Sequence, residues 1–265
     1  MDSHLWLTTF LADARGTVAP RREGKDGLLP PLLVALTVVT GLVDSFSYLV
    51  LGHVFVANQT GNVVFFAFAL AGVAGFSVPA SLAAIGAFAV GAFAAGRVGR
   101  SLAARRELLL GITAGIQAVI MAEAVTMTAL SPAPMPAGLR YALIVVLAAT
   151  MGAQNATARK LAVPDLTTTV LTLTITGMAA DGPFAAATGA RLARRLISVA
   201  AMFVGALVGA VLVLRVHIVY PLVIALVLLA AVAVAAFAWA RNSEPPSPRL
   251  RRRTRCALLP CRPTK

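Results

Sequence analysis

The sequence predicts an all-α, polytopic transmembrane helix bundle of six full spans plus two short or re-entrant segments, and three observations predict it. Hydrophobic residues make up 59% of the 265-residue chain and charged residues only 12%, against about 25% charge in an ordinary soluble domain. Several apolar runs reach roughly the 17–25 residues that a helix needs to cross about 30 Å of hydrocarbon. These runs are rich in Ala, Val, Leu and Gly and lack the period-two alternation that marks the strands of a membrane barrel.

Taken in order, the spans are expected at 28–51, 79–96, 108–130, 139–158, 196–214 and 218–240. Pro30 and Pro31 suit the first turn of the first span, where a missing N–H costs nothing. Two further stretches are ambiguous. Residues 54–77 contain the polar turn Asn58-Gln59-Thr60-Gly61-Asn62, and in 166–189 six of the ten positions 167–176 are threonine, with Asp181-Gly182-Pro183 following. If both cross fully the chain has eight spans; if both only dip into the membrane it has six.

The distribution of Lys and Arg arbitrates, because loops on the cytoplasmic side carry the excess. With six spans the cytoplasmic loops receive Arg97, Arg100, Arg105, Arg106, Arg159, Lys160, Arg191, Arg194 and Arg195, and only Arg140 and Arg215 lie outside, nine against two. Eight spans give four against seven. The six-span arrangement is therefore expected, with both termini cytoplasmic. Residues 1–27 form an N-terminal extension, since Leu5–Ala14 is short and has no basic residue ahead of it as a signal segment would. Residues 28–240 are the transmembrane domain, and 241–265 a basic tail expected to be disordered.

The net charge of +13 is concentrated in the tails and at segment ends, with Arg251-Arg252-Arg253 and Arg255 beyond the last span. Clusters so placed bind anionic lipid headgroups; no aromatic-studded groove accompanies them, and no nucleic-acid partner is expected. Cys256 and Cys261 are the two cysteines, both in the tail and without a neighbouring histidine, so neither a metal nor a cofactor is expected. His53 and His217 read as isolated interface residues. No nucleophile elbow, Walker loop, H-E-x-x-H or dinucleotide fingerprint occurs, which argues against an enzyme.

An internal repeat organises the transmembrane domain. At an offset of 111 residues Gly41 and Asp44 overlie Gly152 and Asn155, and at an offset of 114 Val90-Gly91-Ala92 overlies Val204-Gly205-Ala206. The halves are about 28–130 and 139–240. Three crossings per half give them opposite orientation, as in many transporters.

The candidate residues follow from cost. An aspartate at the centre of a spanning helix costs about 2.5–3.5 kcal/mol on insertion scales, so an inward-facing, functional acid is the default expectation. Thr37, Thr40, Gly41, Asp44, Ser47 and Tyr48 recur at spacings of three, four and seven and give the first span one small, polar face. The expected solute site lies near the midplane and combines Asp44, Ser47, Asn58, Thr60 and Asn62 with Gln154, Asn155, Thr169 and Thr172. Asp44 and Glu123 are the candidates for proton coupling. The alternative for Asp44 is a structural hydrogen bond, to Asn155 or another polar helix, that joins the halves. Gly111, Gly115, Ala118 and Ala122, and later Gly205-x-x-x-Gly209, are expected to pack helices closely.

The motifs G-L-V-D-S-F-S-Y-L, V-F-V-A-N-Q-T-G-N, G-A-Q-N-A-T-A-R and P-D-L-T-T-T-V-L-T-L-T-I-T-G-M-A-A-D resemble the YoaK, or DUF1275, family of bacterial membrane proteins over about residues 28–240. The resemblance implies an integral protein of the inner membrane and carries no established activity or catalytic residue. The sequence thus points to a small-solute permease or secondary transporter, and a homo-oligomer is compatible with it. The alternative is a membrane scaffold or sensor that uses its basic tail to bind lipid or a partner.

Overall fold

A computed structural model of the protein describes residues 3–19, 26–102, 105–164, 166, 175–176 and 189–242. These form α1 (Ser3–Val18), α2 (Leu29–Val50), α3 (Gln59–Leu70), α4 (Val78–Ser101), α5 (Arg106–Ala129), α6 (Ala137–Leu161), α7 (Gly189–Arg215) and α8 (Tyr220–Asn242). Six of them, α2 and α4 to α8, are long and apolar enough to cross a membrane, and α3, at 12 residues, is not. The chain is a polytopic helical membrane bundle. Val90, Val119, Phe203 and Val234, each more than 60% exposed, face outward, where a bilayer and not water solvates them.

The N-terminal extension is itself helical. α1 packs on α7 and α2, and Asp13 pairs with Arg194 at 3.3 Å. That pairing explains why α7 begins earlier than hydrophobicity alone suggests: the helix carries Arg194 and Arg195 beyond the apolar run to meet α1.

The repeat is written into the packing. The closest helix pairs are α4 with α6 and α2 with α7, while α5 packs on α8. Exchanging α2 for α6, α4 for α7 and α5 for α8 turns the first pair into the second and leaves the third unchanged. The correspondence extends to single atoms. Gly41 lies against the Met202 carbonyl and the Ala206 amide, and Gly152 against the Phe88 carbonyl and the Ala92 amide; Gly205 meets the Val38 carbonyl and Gly91 the Ala149 carbonyl. Every one of these partners is displaced by the same 111 or 114 residues that relate the glycines. Glycine here removes the side chain that would hold the two backbones apart. Ser45 adds a tie, its hydroxyl 2.8 Å from the Ala206 carbonyl and 2.8 Å from that of Gly41.

Contacts at the helix ends fix which ends share a face. Arg106 at the start of α5 donates to Asp26 just before α2, at 3.2 Å, and to the carbonyl of Leu161, the last residue of α6. Gly99 of α4 lies against Lys160, and Gly27 against Trp239 of α8. The beginnings of α2 and α5 and the ends of α4, α6 and α8 therefore gather at one end of the bundle. Arg97, Arg100, Arg105, Arg106, Arg159, Lys160 and Arg241 are at or near that end, whereas Arg140 and Arg215 lie at the other.

Candidate functional site

The segment after α2 turns back on itself. His53, at φ 56°, donates from Nδ1 to the Gly75 carbonyl at 3.0 Å, so the loop entering α3 and the loop leaving it meet at the same end of the bundle. Between these points the chain descends along α2. The backbone N–H groups of Val56 and Ala57 donate to Asp44 Oδ1 at 3.1 and 2.8 Å, and that of Asn58 donates to Asp44 Oδ2 at 3.2 Å. Asp44 lies six positions before the end of α2, which is about 9 Å below it at roughly 1.5 Å per residue. Helix α3 then climbs back out over about 18 Å. The ambiguous stretch 54–77 is thus a re-entrant loop and half-length helix.

The chemistry of this turn explains why Asp44 is tolerated. Bare N–H groups at membrane depth cost several kcal/mol each, and those of residues 56–58 lie in irregular backbone leading to the N-cap of α3, which supplies them no regular partner. The Asp44 carboxylate, 3% exposed, accepts all three. Asn62, fully buried, fastens the same loop: its Oδ1 accepts from the Phe55 N–H at 2.9 Å, and its Nδ2 donates to the Phe55 carbonyl at 2.6 Å and to Gln59 Oε1 at 2.7 Å. Gln59 Nε2 donates to the Val56 carbonyl at 3.0 Å. Tyr48, Phe55, Phe65 and Phe76 wedge between α2, α3 and the following loop, each ring within 5.8 Å of the next. Asn62→Ala leaves the Phe55 amide and carbonyl without partners, and a loss of about 1–3 kcal/mol is expected, read as a lower Tm of the detergent-solubilised protein.

Gln154 of the expected site finds its partners on α2, away from this turn. The hydroxyls of Thr37, Thr40 and Ser47 each donate within their own helix, to the carbonyls of Leu33, Leu36 and Asp44, so the polar face of α2 is largely satisfied internally. Gln154 donates to Thr40 Oγ1 at 3.0 Å and toward the Leu36 carbonyl at 3.4 Å. It is this residue, not Asn155, that links α6 to α2. Asn155 donates to the Met151 carbonyl at 2.9 Å. Because Thr40 and Gln154 share a level on antiparallel helices, Asp44 lies about 6 Å from that level toward one face and Asn155 about 1.5 Å toward the other. Asp44 and Asn155 are thus offset along the bundle by about 7.5 Å, as an inverted repeat places equivalent residues on opposite sides of the midplane.

Glu123 stands on another helix. It is exposed on the outer face of α5, apart from the Asp44 turn. Neither histidine is isolated: His53 packs edge-on against Tyr48, and His217 against Tyr220. Gly111 and Gly115 face Phe237 of α8 and are packing positions, as expected. Thr169, Thr172 and Asp181 lie outside the described residues, as does the tail from residue 243. Among the described residues, no three His, Cys, Asp or Glu side chains come together as a metal site. Reading the sequence missed the Asn62 clamp on Phe55; the signal was present, since a polar N-Q-T-G-N turn at membrane depth must satisfy its own backbone.

Six helices long and apolar enough to cross a membrane among the described residues, with a half-length helix folded between them, make this an integral membrane protein, a polytopic helical bundle. The comparisons with known proteins agree. The family described as "Protein of unknown function (DUF1275)" matches residues 32–235, and the chain belongs to that family. It is also similar to the UPF0700 transmembrane protein YoaK of Bacillus subtilis (strain 168), with 30% identity over 154 residues, 57% of this chain and 65% of that relative. The chain thus covers slightly less than two thirds of that relative's length. No solved structure gives a significant match.

Proposed function

We propose that this protein is a small-solute permease or secondary transporter and not an enzyme, seated in the bacterial inner membrane with the basic end of the bundle, α1 and both termini on the cytoplasmic side. The orientation follows from the excess of Arg and Lys at that end. The observation that carries the functional reading is the re-entrant turn inside an inverted-repeat frame. Irregular backbone is kept at membrane depth where protein covers it or a hydrated path receives it, and broken helices at the repeat interface are where such carriers hold their solutes.

The chemistry available there is specific. Asp44 and Asn62 hold the loop, while the side chains of Asn58 and Thr60 make no hydrogen bond among the described residues, and Thr60 is exposed. These two are the uncommitted polar groups at the start of α3, and a polar solute is proposed to meet them. Asp44 acts as the clamp that shapes the site. For Asp44 to carry a coupling proton, the loop would first have to release it, so the proposed movement of α3 and any proton transfer are a single event. The basic tail is proposed to rest on anionic lipid.

The test is flux through proteoliposomes containing the full-length chain, challenged with a panel of inorganic anions, alkali cations, amino acids and small polyols. Saturable uptake of at least one class, weakened by Thr60→Val in protein that folds normally, is expected. Uptake of every class at the rate of protein-free vesicles would contradict the proposal.

A further inference from the structure

A groove of about 390 Å³ opens between α4, α5 and α6, away from the Asp44 turn. Small residues hollow it out: Gly91, Ala94 and Ala95 of α4 face Ala149 and Ala153 of α6. Its rim carries Val98, Ile116 and Val145, each more than 40% exposed, so it opens sideways toward the hydrocarbon. At its floor lies Gln117, midway along α5 and 2% exposed. The Gln117 Nε2 donates to the Thr150 carbonyl at 3.2 Å, which orients the amide and leaves Oε1 buried with no partner among the described residues. A buried acceptor left unpaired costs about 1–3 kcal/mol.

The repeat makes this arrangement informative. At the 111-residue offset Thr150 and Thr157 on α6 correspond to Val39 and Phe46 on α2, and along the buried faces of α5 and α8 Gln117 corresponds to Val232, each 2% exposed. The α5–α6 seam is polar, with the Thr113 and Thr157 hydroxyls 3.0 Å apart, while Val39, Phe46 and Val232, the buried counterparts on α2 and α8, are apolar. Both helix pairs are in contact, so contact between these helices does not by itself require the polar set. From this asymmetry and the unpaired acceptor we infer that the groove binds a membrane-borne, predominantly apolar molecule bearing one hydroxyl or comparable donor, which enters from the bilayer and donates to Gln117 Oε1.

A matched pair of probes tests this, 4-hexylphenol and 4-hexyltoluene, which differ by a hydroxyl in place of a methyl. The Tm of the full-length protein in detergent is measured as a function of each, since a ligand of the folded state raises it. Wild type is expected to bind the phenol about fivefold more tightly, the value of one net hydrogen bond. Gln117→Leu is expected to abolish the preference, and Ala94→Phe, which fills the groove from an exposed position, to weaken both probes. Equal effects of the two probes on wild type, or a phenol preference that survives either in Gln117→Leu or undiminished in Ala94→Phe, would overturn the inference. Both variants leave the Asp44 turn intact, so this test and the flux assay fail independently.

Discussion

Gly91→Leu and Gly152→Leu are each expected to leave no monodisperse folded protein after extraction in mild detergent. A Cβ at Gly91 falls on the Ala149 carbonyl, and one at Gly152 on the Phe88 carbonyl. Backbone cannot move aside as a flexible side chain can, so α4 and α6 must separate along their whole contact. Even the single methyl of Gly152→Ala is expected to lose at least the roughly 1–3 kcal/mol typical of overpacking. The symmetry adds a sharper expectation: Gly41→Ala and Gly205→Ala, at the equivalent α2–α7 crossing, are expected to lower the Tm by a similar amount. Gly86 is the control, because nothing lies within 4 Å of a Cβ there. Gly86→Ala is expected to be neutral or to stabilise by up to about 1 kcal/mol, the helix-propensity difference. Thermal denaturation followed by fluorescence-detected size exclusion ranks all six variants.

The second large effect is expected at Asp44. Asp44→Ala leaves three backbone N–H groups without an acceptor in a buried site, and a loss of at least about 3 kcal/mol follows from roughly 1–3 kcal/mol for each buried donor. Asp44→Asn keeps one carbonyl oxygen, which can serve Val56 and Ala57 as Oδ1 does, but it turns an NH2 donor toward the Asn58 N–H. It is expected to retain part of the stability. The order wild type, then Asn, then Ala in Tm identifies the carboxylate as a clamp on the re-entrant loop. Equal stability of all three would remove that role.

Much of this architecture was legible in the sequence, and the limits have physical causes. The six spans follow from apolar length, and their ends differ from expectation by one to a few residues except at α7, where a pairing with α1 extends the helix. The glycine matches at offsets of 111 and 114 carried more than their number suggested, because glycines at helix crossings are held in place by the partner backbone. Helical periodicity assigned Asp44 to a polar face without identifying the partner of that face, and the partner proved to be the loop twelve to fourteen residues further along. Glu123 was named from its place within a span alone, and an acid in a span does not by itself show whether it faces the interior of a bundle or its outer face. Gln154 and Asn155 are adjacent in sequence, yet one reaches α2 while the other bonds to its own helix.

The central claim is that α3 enters and leaves the membrane at one face. Single cysteines at Val18 and Val73, both exposed, introduced into a chain with Cys256 and Cys261 replaced by serine, measure it directly by labelling with a membrane-impermeant maleimide in right-side-out and inverted vesicles. The re-entrant arrangement predicts labelling from opposite faces, with Val18→Cys reached from the cytoplasmic side and Val73→Cys from the outside. Labelling of both from the same face would mean that α3 crosses completely, and would contradict the account.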